Sequence, residues 1–216
     1  MKQLVIYDLD GTLIDTLEDI ARAVNHMTRE LEAAPLAVEE VRRLVGHGLH
    51  QLVRGCLKTD DARRIERGAT IYRAFYAEHL LDHSRLYPGA QEVLEHFKAR
   101  AQVVVTNKPD PFSRDLLRAL GVAGYFLDVI AGDGAYPKKP DPAAVRAMME
   151  RAGASPGQTL LIGDSPIDIQ TGQAAGVLTV GVLHGFTDEA ELAAAGPDAL
   201  AVDFQALLQL ARRHGW

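Results

Sequence analysis

The sequence predicts an α/β fold in which a parallel sheet is interrupted, after its first strand, by a block of helices. Two observations lead to it. From Tyr87 onward, short apolar runs of strand character alternate with amphipathic segments of helical period, the pattern of successive βα units. Between Leu17 and Tyr87 the pattern is helical throughout, with no strand-like run.

The first strand is Leu4–Tyr7, a β-branched and aromatic run that Gly11 ends with a turn. Leu17, Ile20, Ala21, Val24 and Leu31 then share one helical face, with Asp15 or Thr16 as N-cap, Glu18 and Asp19 in the first turn and Ala34-Pro35 as the stop. A second helix fits residues 38–57, with a possible break at Gly46-His47-Gly48, and a third fits 60–81. Helices over 90–99, 111–120, 142–152 and 167–175 alternate with strands over 102–106, 126–131, 159–163 and 177–182, and Asp141 caps the third of these helices. A last βα unit covers 199–211. Residues 1–15 and 87–216 therefore form the α/β core, and 16–86 the helical insert.

The 216 residues are 47% hydrophobic, enough for a substantial core. A net charge of −6 argues against nucleic acid or an anionic membrane as partner. A single cysteine, Cys56, excludes an internal disulfide and suits a reducing compartment; its helical spacing from Leu52 and Val53 makes it a core residue. The apolar start is broken at Asp8, so no signal peptide is read, and the longest later apolar stretch is too short to span a bilayer. A cytoplasmic protein, monomer or homodimer, is expected.

Function is carried by the residues just past the strands, because ligands of open parallel sheets bind beyond the strands' carboxyl ends. The first strand leads into Asp8-Leu9-Asp10-Gly11-Thr12. Strand 102–106 ends in Thr106-Asn107-Lys108-Pro109, strand 126–131 leads to Lys138-Lys139-Pro140, and strand 159–163 ends in Asp164-Ser165 with Asp168 one turn on. Acids at strand ends are costly unless they face a cleft or a cation. Each group alone has a plain alternative: a solvated turn at Asp8–Asp10, a strand residue at Thr106, a helix N-terminal charge at Asp168. Gathered on one edge, they suit phosphate chemistry with a hard metal.

In order and spacing these motifs resemble the haloacid dehalogenase-like hydrolase superfamily over the whole chain, and phosphoglycolate phosphatases most. The resemblance implies a Rossmann-like core with a small helical cap. It implies Asp8 as nucleophile, forming an aspartyl phosphate, and Asp10 as general acid and base. Thr106, Asn107 and Lys139 would hold the phosphoryl group, and the Lys-Pro register favours Lys139 over Lys138. Mg²⁺ would bind Asp8, the Asp10 carbonyl and Asp164, with Asp168 and Thr12 in support.

Gly46, His47 and Gly48 stand where phosphoglycolate phosphatases carry a similar cap sequence, and are read either as substrate-facing or as a helix bend with a solvated histidine. A small anionic substrate would need a cap cation, from Arg22, Arg42, Arg43 or Arg54. The expected partner is a small phosphorylated metabolite, 2-phosphoglycolate first. Another small phosphoester (sugar phosphate, nucleotide or pyrophosphate), a β-phosphoglucomutase-like mutase and a non-catalytic binding domain are the alternatives. The mutase reading is weakened because Ile20 stands where many such mutases have a histidine. Tyr7, where the family usually has Phe, and Pro166-Ile167, where motif four is often more polar, are mild departures.

Overall fold

The computed structural model describes residues 2–216. In chain order its elements begin with β1 (Leu4–Tyr7), β2 (Ile14–Asp15), α1 (Leu17–Glu30), α2 (Val38–Arg42), α3 (Leu49–Leu57), α4 (Ala62–His79) and β3 (Arg85–Leu86). The alternating part comes next: α5 (Ala90–His96), β4 (Ala101–Val105), α6 (Phe112–Ala119), β5 (Asp128–Ile130), α7 (Ala143–Ala152) and β6 (Thr159–Gly163). It closes with α8 (Pro166–Ala175), β7 (Leu178–Val182), α9 (Glu189–Ala194), β8 (Ala199–Ala201) and α10 (Phe204–His214).

Six strands form a parallel sheet in the order β5-β4-β1-β6-β7-β8, a Rossmann-like core. β1 is its centre because all four of its residues are apolar and can be buried on both faces. Leu4 and Ile6 pack with α7 residues Val145 and Met148, whereas Val5 and Tyr7 join the larger cluster shared with α5, α6, α10 and the helical insert. The Tyr7 hydroxyl donates to Gln102 Oε1 at 2.9 Å, and Gln102 in turn donates to the Leu94 carbonyl, so the tyrosine is satisfied in the core. In register, Tyr7 lies beside Val104 of β4 and Ile162 of β6. The next residues of all three strands therefore emerge side by side on one edge, where the chain order reverses about β1.

The insert breaks within residues 38–57 at the stretch the sequence marks: α2 and α3 are separated by irregular chain that holds Gly46 at φ +113° and Gly48 at φ +85°. The stretch expected to be free of strand, however, ends in one: β3 pairs antiparallel with β2, Ile14 opposite Leu86 and Asp15 opposite Arg85. Two residues are too few to show a period, so this ribbon leaves no pattern to read. Helix α9 likewise lies outside the sequence reading. Cys56 is buried, as its spacing predicts, and burial pushes its thiol up to about 12. Among the described residues no helix is long and apolar enough to cross a membrane.

The ribbon brings the two ends of the insert together, and Asp19 fastens them. Its buried carboxylate accepts from the Ser84 N–H and hydroxyl, both at 2.7 Å, and from the His83 N–H at 3.0 Å. Asp15 and Arg85 add an ion pair across the ribbon at 3.1 Å. Hydrogen bonds to a charged acceptor contribute about 1.5–3 kcal/mol. Asp19→Asn should lower unfolding stability by about 2 kcal/mol in urea titration, because the amide turns a donor toward donors. A loss below about 0.5 kcal/mol would remove Asp19 from this role.

Candidate active site

Asp8 follows β1 directly, and its N–H still donates to the Ile162 carbonyl of β6 at 3.0 Å. Its carboxylate accepts from the Leu9 N–H at 2.7 Å and faces the Lys139 ammonium at 2.8 Å. The chain then doubles back: the N–H groups of Leu13 and Ile14 both reach the Leu9 carbonyl at 3.0 Å, with Gly11 at φ +80° making the turn. Asp10 accordingly has different partners. The Thr16 hydroxyl donates to it at 2.7 Å, and the Lys108 ammonium lies at 2.9 and 3.2 Å. Thr16 occupies the α1 N-cap position but gives its side chain to Asp10.

Asp164 and Asp168 approach from β6 and α8. Asp164 accepts from the Thr12 hydroxyl at 2.7 Å and the Phe186 N–H at 2.8 Å. A Cβ at Gly11 or Gly185 would stand 2.3 Å from an Asp164 atom, so both glycines are required by the closeness of that carboxylate. Asp168 is fully buried, accepts from Ser165 through N–H (3.1 Å) and hydroxyl (2.6 Å), and meets Lys139 at 2.6 Å. Burial would lower the Lys139 ammonium, but Asp168 and Asp8 outweigh it and hold the group above the usual lysine range. Burial, together with Asp168, pushes the Asp8 carboxyl up to about 6 although Lys139 opposes it; burial with Asp168 and Asp8 pushes Asp164 up to about 8.

Asp8, Asp164 and Asp168 each bring an oxygen within 4.8 Å of the others. One ammonium cannot neutralise three such carboxylates, and an all-oxygen donor set suits a hard divalent cation. The residues thus fit a Mg²⁺ site. The Asp10 carboxylate lies outside this group, facing Lys108, and Asp168 lies within it beside Asp8 and Asp164.

Thr106 and Asn107 follow β4. Thr106 is buried, and its hydroxyl accepts from the Lys108 N–H at 3.2 Å. The Asn107 carboxamide donates to the Lys139 carbonyl at 3.1 Å and accepts from the Lys139 N–H at 2.9 Å, which sets the height of Lys139 over Asp8. It also donates to the Gly46 carbonyl of the insert at 2.8 Å. Lys138 is exposed, so the sheet edge takes Lys139 as the Lys-Pro register predicts.

Asp8, Asp10, Thr106 and Asn107 open onto a cavity of about 50 Å³ between the sheet edge and the insert, which Lys139, Asp164 and Asp168 do not line. Its polar wall has Asp8, Asp10, Thr106, Asn107 and Lys108; its helical wall has Ile20, Leu49, Leu52, Tyr72 and Tyr76. Gly46 and Gly48 line it, but His47 is exposed and belongs to an outer groove with Arg43 and Arg54. The four arginines expected to supply a cap cation do not line the cavity. Arg22 pairs with Asp82 at 2.7 Å, Arg42 donates to the Gly185 carbonyl at 2.8 Å, and Arg54 pairs with Asp60. The cation on the cavity wall is Lys108, which the sequence shows only as part of the Thr106–Pro109 stretch; Tyr76, its partner, carries no signal in the sequence.

The family model of the haloacid dehalogenase-like hydrolases matches residues 5–182. The chain belongs to this family. The phosphoglycolate phosphatase of Rhodospirillum rubrum is 39% identical over 217 positions, covering 96% of this chain and 90% of that one. That of Pseudomonas putida is 37% identical over 217 positions, covering 96% and 79%. The crystal structure of a predicted phosphoglycolate phosphatase from Haemophilus somnus superposes with a TM-score of 0.92 at 28% identity, covering 97% of this chain and 98% of that one. Similarity to this group of haloacid dehalogenase-like hydrolases thus extends across sheet and insert alike.

The family's first loop is braced here by His184, whose Nε2 donates to the Thr12 carbonyl at 3.0 Å, with the ring against Tyr87 and Phe204. Burial lowers this imidazole from its usual 6.5, so the folded protein binds its proton less readily than the unfolded chain. The contribution is complete above about pH 6.5 and is lost as pH falls toward the folded value. The melting temperature of wild type minus that of His184→Gln should therefore decrease between pH 7.5 and pH 5. A difference that stays constant or grows would contradict the assignment.

Proposed function

We propose that this protein is a Mg²⁺-dependent phosphomonoester hydrolase working through an aspartyl phosphate on Asp8, with 2-phosphoglycolate as its substrate. The observation that carries the reading is the Asp8 carboxylate. It is held at the cavity wall by the Leu9 N–H and Lys139, with Asp10 beside it on separate partners.

An Asp8 oxygen attacks phosphorus and the bond to the ester oxygen breaks, while Asp10 gives that oxygen its proton. Water then attacks the aspartyl phosphate, Asp10 takes the water's proton, and orthophosphate leaves with Asp8 restored. The Thr106 hydroxyl, the Asn107 backbone N–H and the Lys139 ammonium hold the equatorial oxygens, where positioning and charge do most of the work. Asp8, Asp164 and the Asp10 carbonyl would hold Mg²⁺, with Asp168 and Thr12 fixing them in place. When bound, it would neutralise charge building on the phosphoryl oxygens. Residues 16–86 serve as a cap, moving on the β2–β3 ribbon to admit substrate and closing to exclude water.

Three features support the substrate. The cavity of about 50 Å³ suits a short leaving group. Curated relatives that are phosphoglycolate phosphatases match along nearly the whole chain. Ile20, which lines the cavity, offers no proton, and this weighs against a phosphosugar mutase.

Phosphate release should be measured across 2-phosphoglycolate, hexose phosphates, nucleotides, pyrophosphate and an aryl phosphate. The expected result is Mg²⁺-dependent release, abolished by chelation, with 2-phosphoglycolate preferred. Asp10→Asn should fold normally and turn over about 10²–10⁴-fold more slowly. Full activity after exhaustive chelation, or a loss below tenfold in Asp10→Asn, would contradict the mechanism; flat selectivity would contradict the substrate.

A further inference from the structure

We propose that Lys108, assisted by the Tyr76 hydroxyl, recognises the leaving group, and that the substrates selected carry an anion one carbon from the ester oxygen. The assignment rests on the roles proposed for Asp8 and Asp10.

It begins from the charge on the cavity wall. Leaving groups must lie against the insert, because the opposite wall is taken up with the phosphoryl group. The insert presents Ile20, Leu49 and Leu52 there, with the phenols of Tyr72 and Tyr76, and none of its arginines. Lys139 is occupied between Asp8 and Asp168. Among the described residues Lys108 is the cation that lines the cavity, and it is only 7% exposed.

Its surroundings keep the charge aimed at the leaving group. The ammonium lies 2.9 Å from Asp10 and 2.9 Å from the Tyr76 hydroxyl, and 4.6 Å from the centre of the Tyr76 ring. That hydroxyl accepts from Lys108, so its own proton is left to donate to a ligand. For Asp10 to pass a proton, the ester oxygen must come within about 2.6–3.2 Å of it. Lys108, touching the same carboxylate, then lies within reach of an anion attached one carbon away. A polyhydroxy leaving group would instead set its hydroxyls against apolar side chains and lose their hydrogen bonds, which selects against sugars.

Lys108 also contacts Asp10, so a plain loss of activity on mutation would be uninformative. The informative quantity is the ratio of kcat/KM for 2-phosphoglycolate to that for ethyl phosphate, which replaces the carboxylate by a methyl group. A residue that only positions Asp10 affects both substrates equally.

Wild type should prefer 2-phosphoglycolate by about 100-fold or more, and Lys108→Gln should reduce that preference by about 10- to 100-fold, the worth of a charged hydrogen bond. Tyr76→Phe, which removes one oxygen, should reduce it about 3- to 10-fold, and it tests the subsite even if Lys108→Gln fails to fold. Equal losses on both substrates in both variants would overturn the assignment. Wild-type activity on both substrates without preference would overturn it, and 2-phosphoglycolate as the substrate with it, while leaving the phosphatase reading standing. Wild type inactive on both would overturn the phosphatase reading and this assignment with it.

Discussion

Lys139 places one buried ammonium between two buried carboxylates, 2.8 Å from Asp8 and 2.6 Å from Asp168, and the geometry of the whole edge depends on that contact. Removing one partner of a buried ion pair costs about 3–5 kcal/mol, because the other is left charged without water. Lys139 is held in turn through its backbone by the Asn107 carboxamide. The segments that follow four strands, β1, β4, β5 and β6, are thereby locked to one another. Burial, together with the excess of negative charge in the cluster once Asp164 is added, holds Asp8 and Asp164 above the usual carboxylate range, and that excess suits the site to a divalent cation.

The same contacts join the edge to the insert. Asn107, which sets Lys139, also donates to the Gly46 carbonyl; Arg42 of α2 donates to Gly185, next to the Phe186 N–H that holds Asp164. Lys108 spans from Asp10 to Tyr76 of α4. Each runs from the insert to a loop that bears a candidate site residue or, at Gly185, sits beside the N–H that holds one. Such bonds are suited to a lid that must both close and release, since the neutral one contributes only about 0.5–1.5 kcal/mol and the two with charged donors about 1.5–3 kcal/mol each.

Much of this is legible in the sequence where a local pattern has a single physical solution. The run Leu4–Tyr7 ending at Asp8 reads as a buried strand because charge cannot follow it inward, and the structure places it near the middle of the sheet. Lys139 can be told from Lys138 by its place before Pro140, and the two indeed differ in burial. The features that stay hidden depend on pairs far apart in the chain. Arg22 and Arg54 resemble substrate-binding cations in the sequence, but in the fold Asp82 and Asp60 take them. Tyr76 cannot be connected to Lys108 across 32 residues, and the two-residue strands β2 and β3 are too short to show alternation. At Gly46–Gly48 the glycines line the cavity, while the histidine between them faces out.

The central claim is covalent chemistry at Asp8, and it is tested most directly by trapping. Acid quenching during turnover of 2-phosphoglycolate, followed by borohydride reduction, converts an aspartyl phosphate to homoserine. Peptide mass spectrometry should then find that change at residue 8, and no trapped product in Asp8→Asn. Sustained phosphate release with residue 8 unmodified, or modification at another carboxylate, would contradict the account.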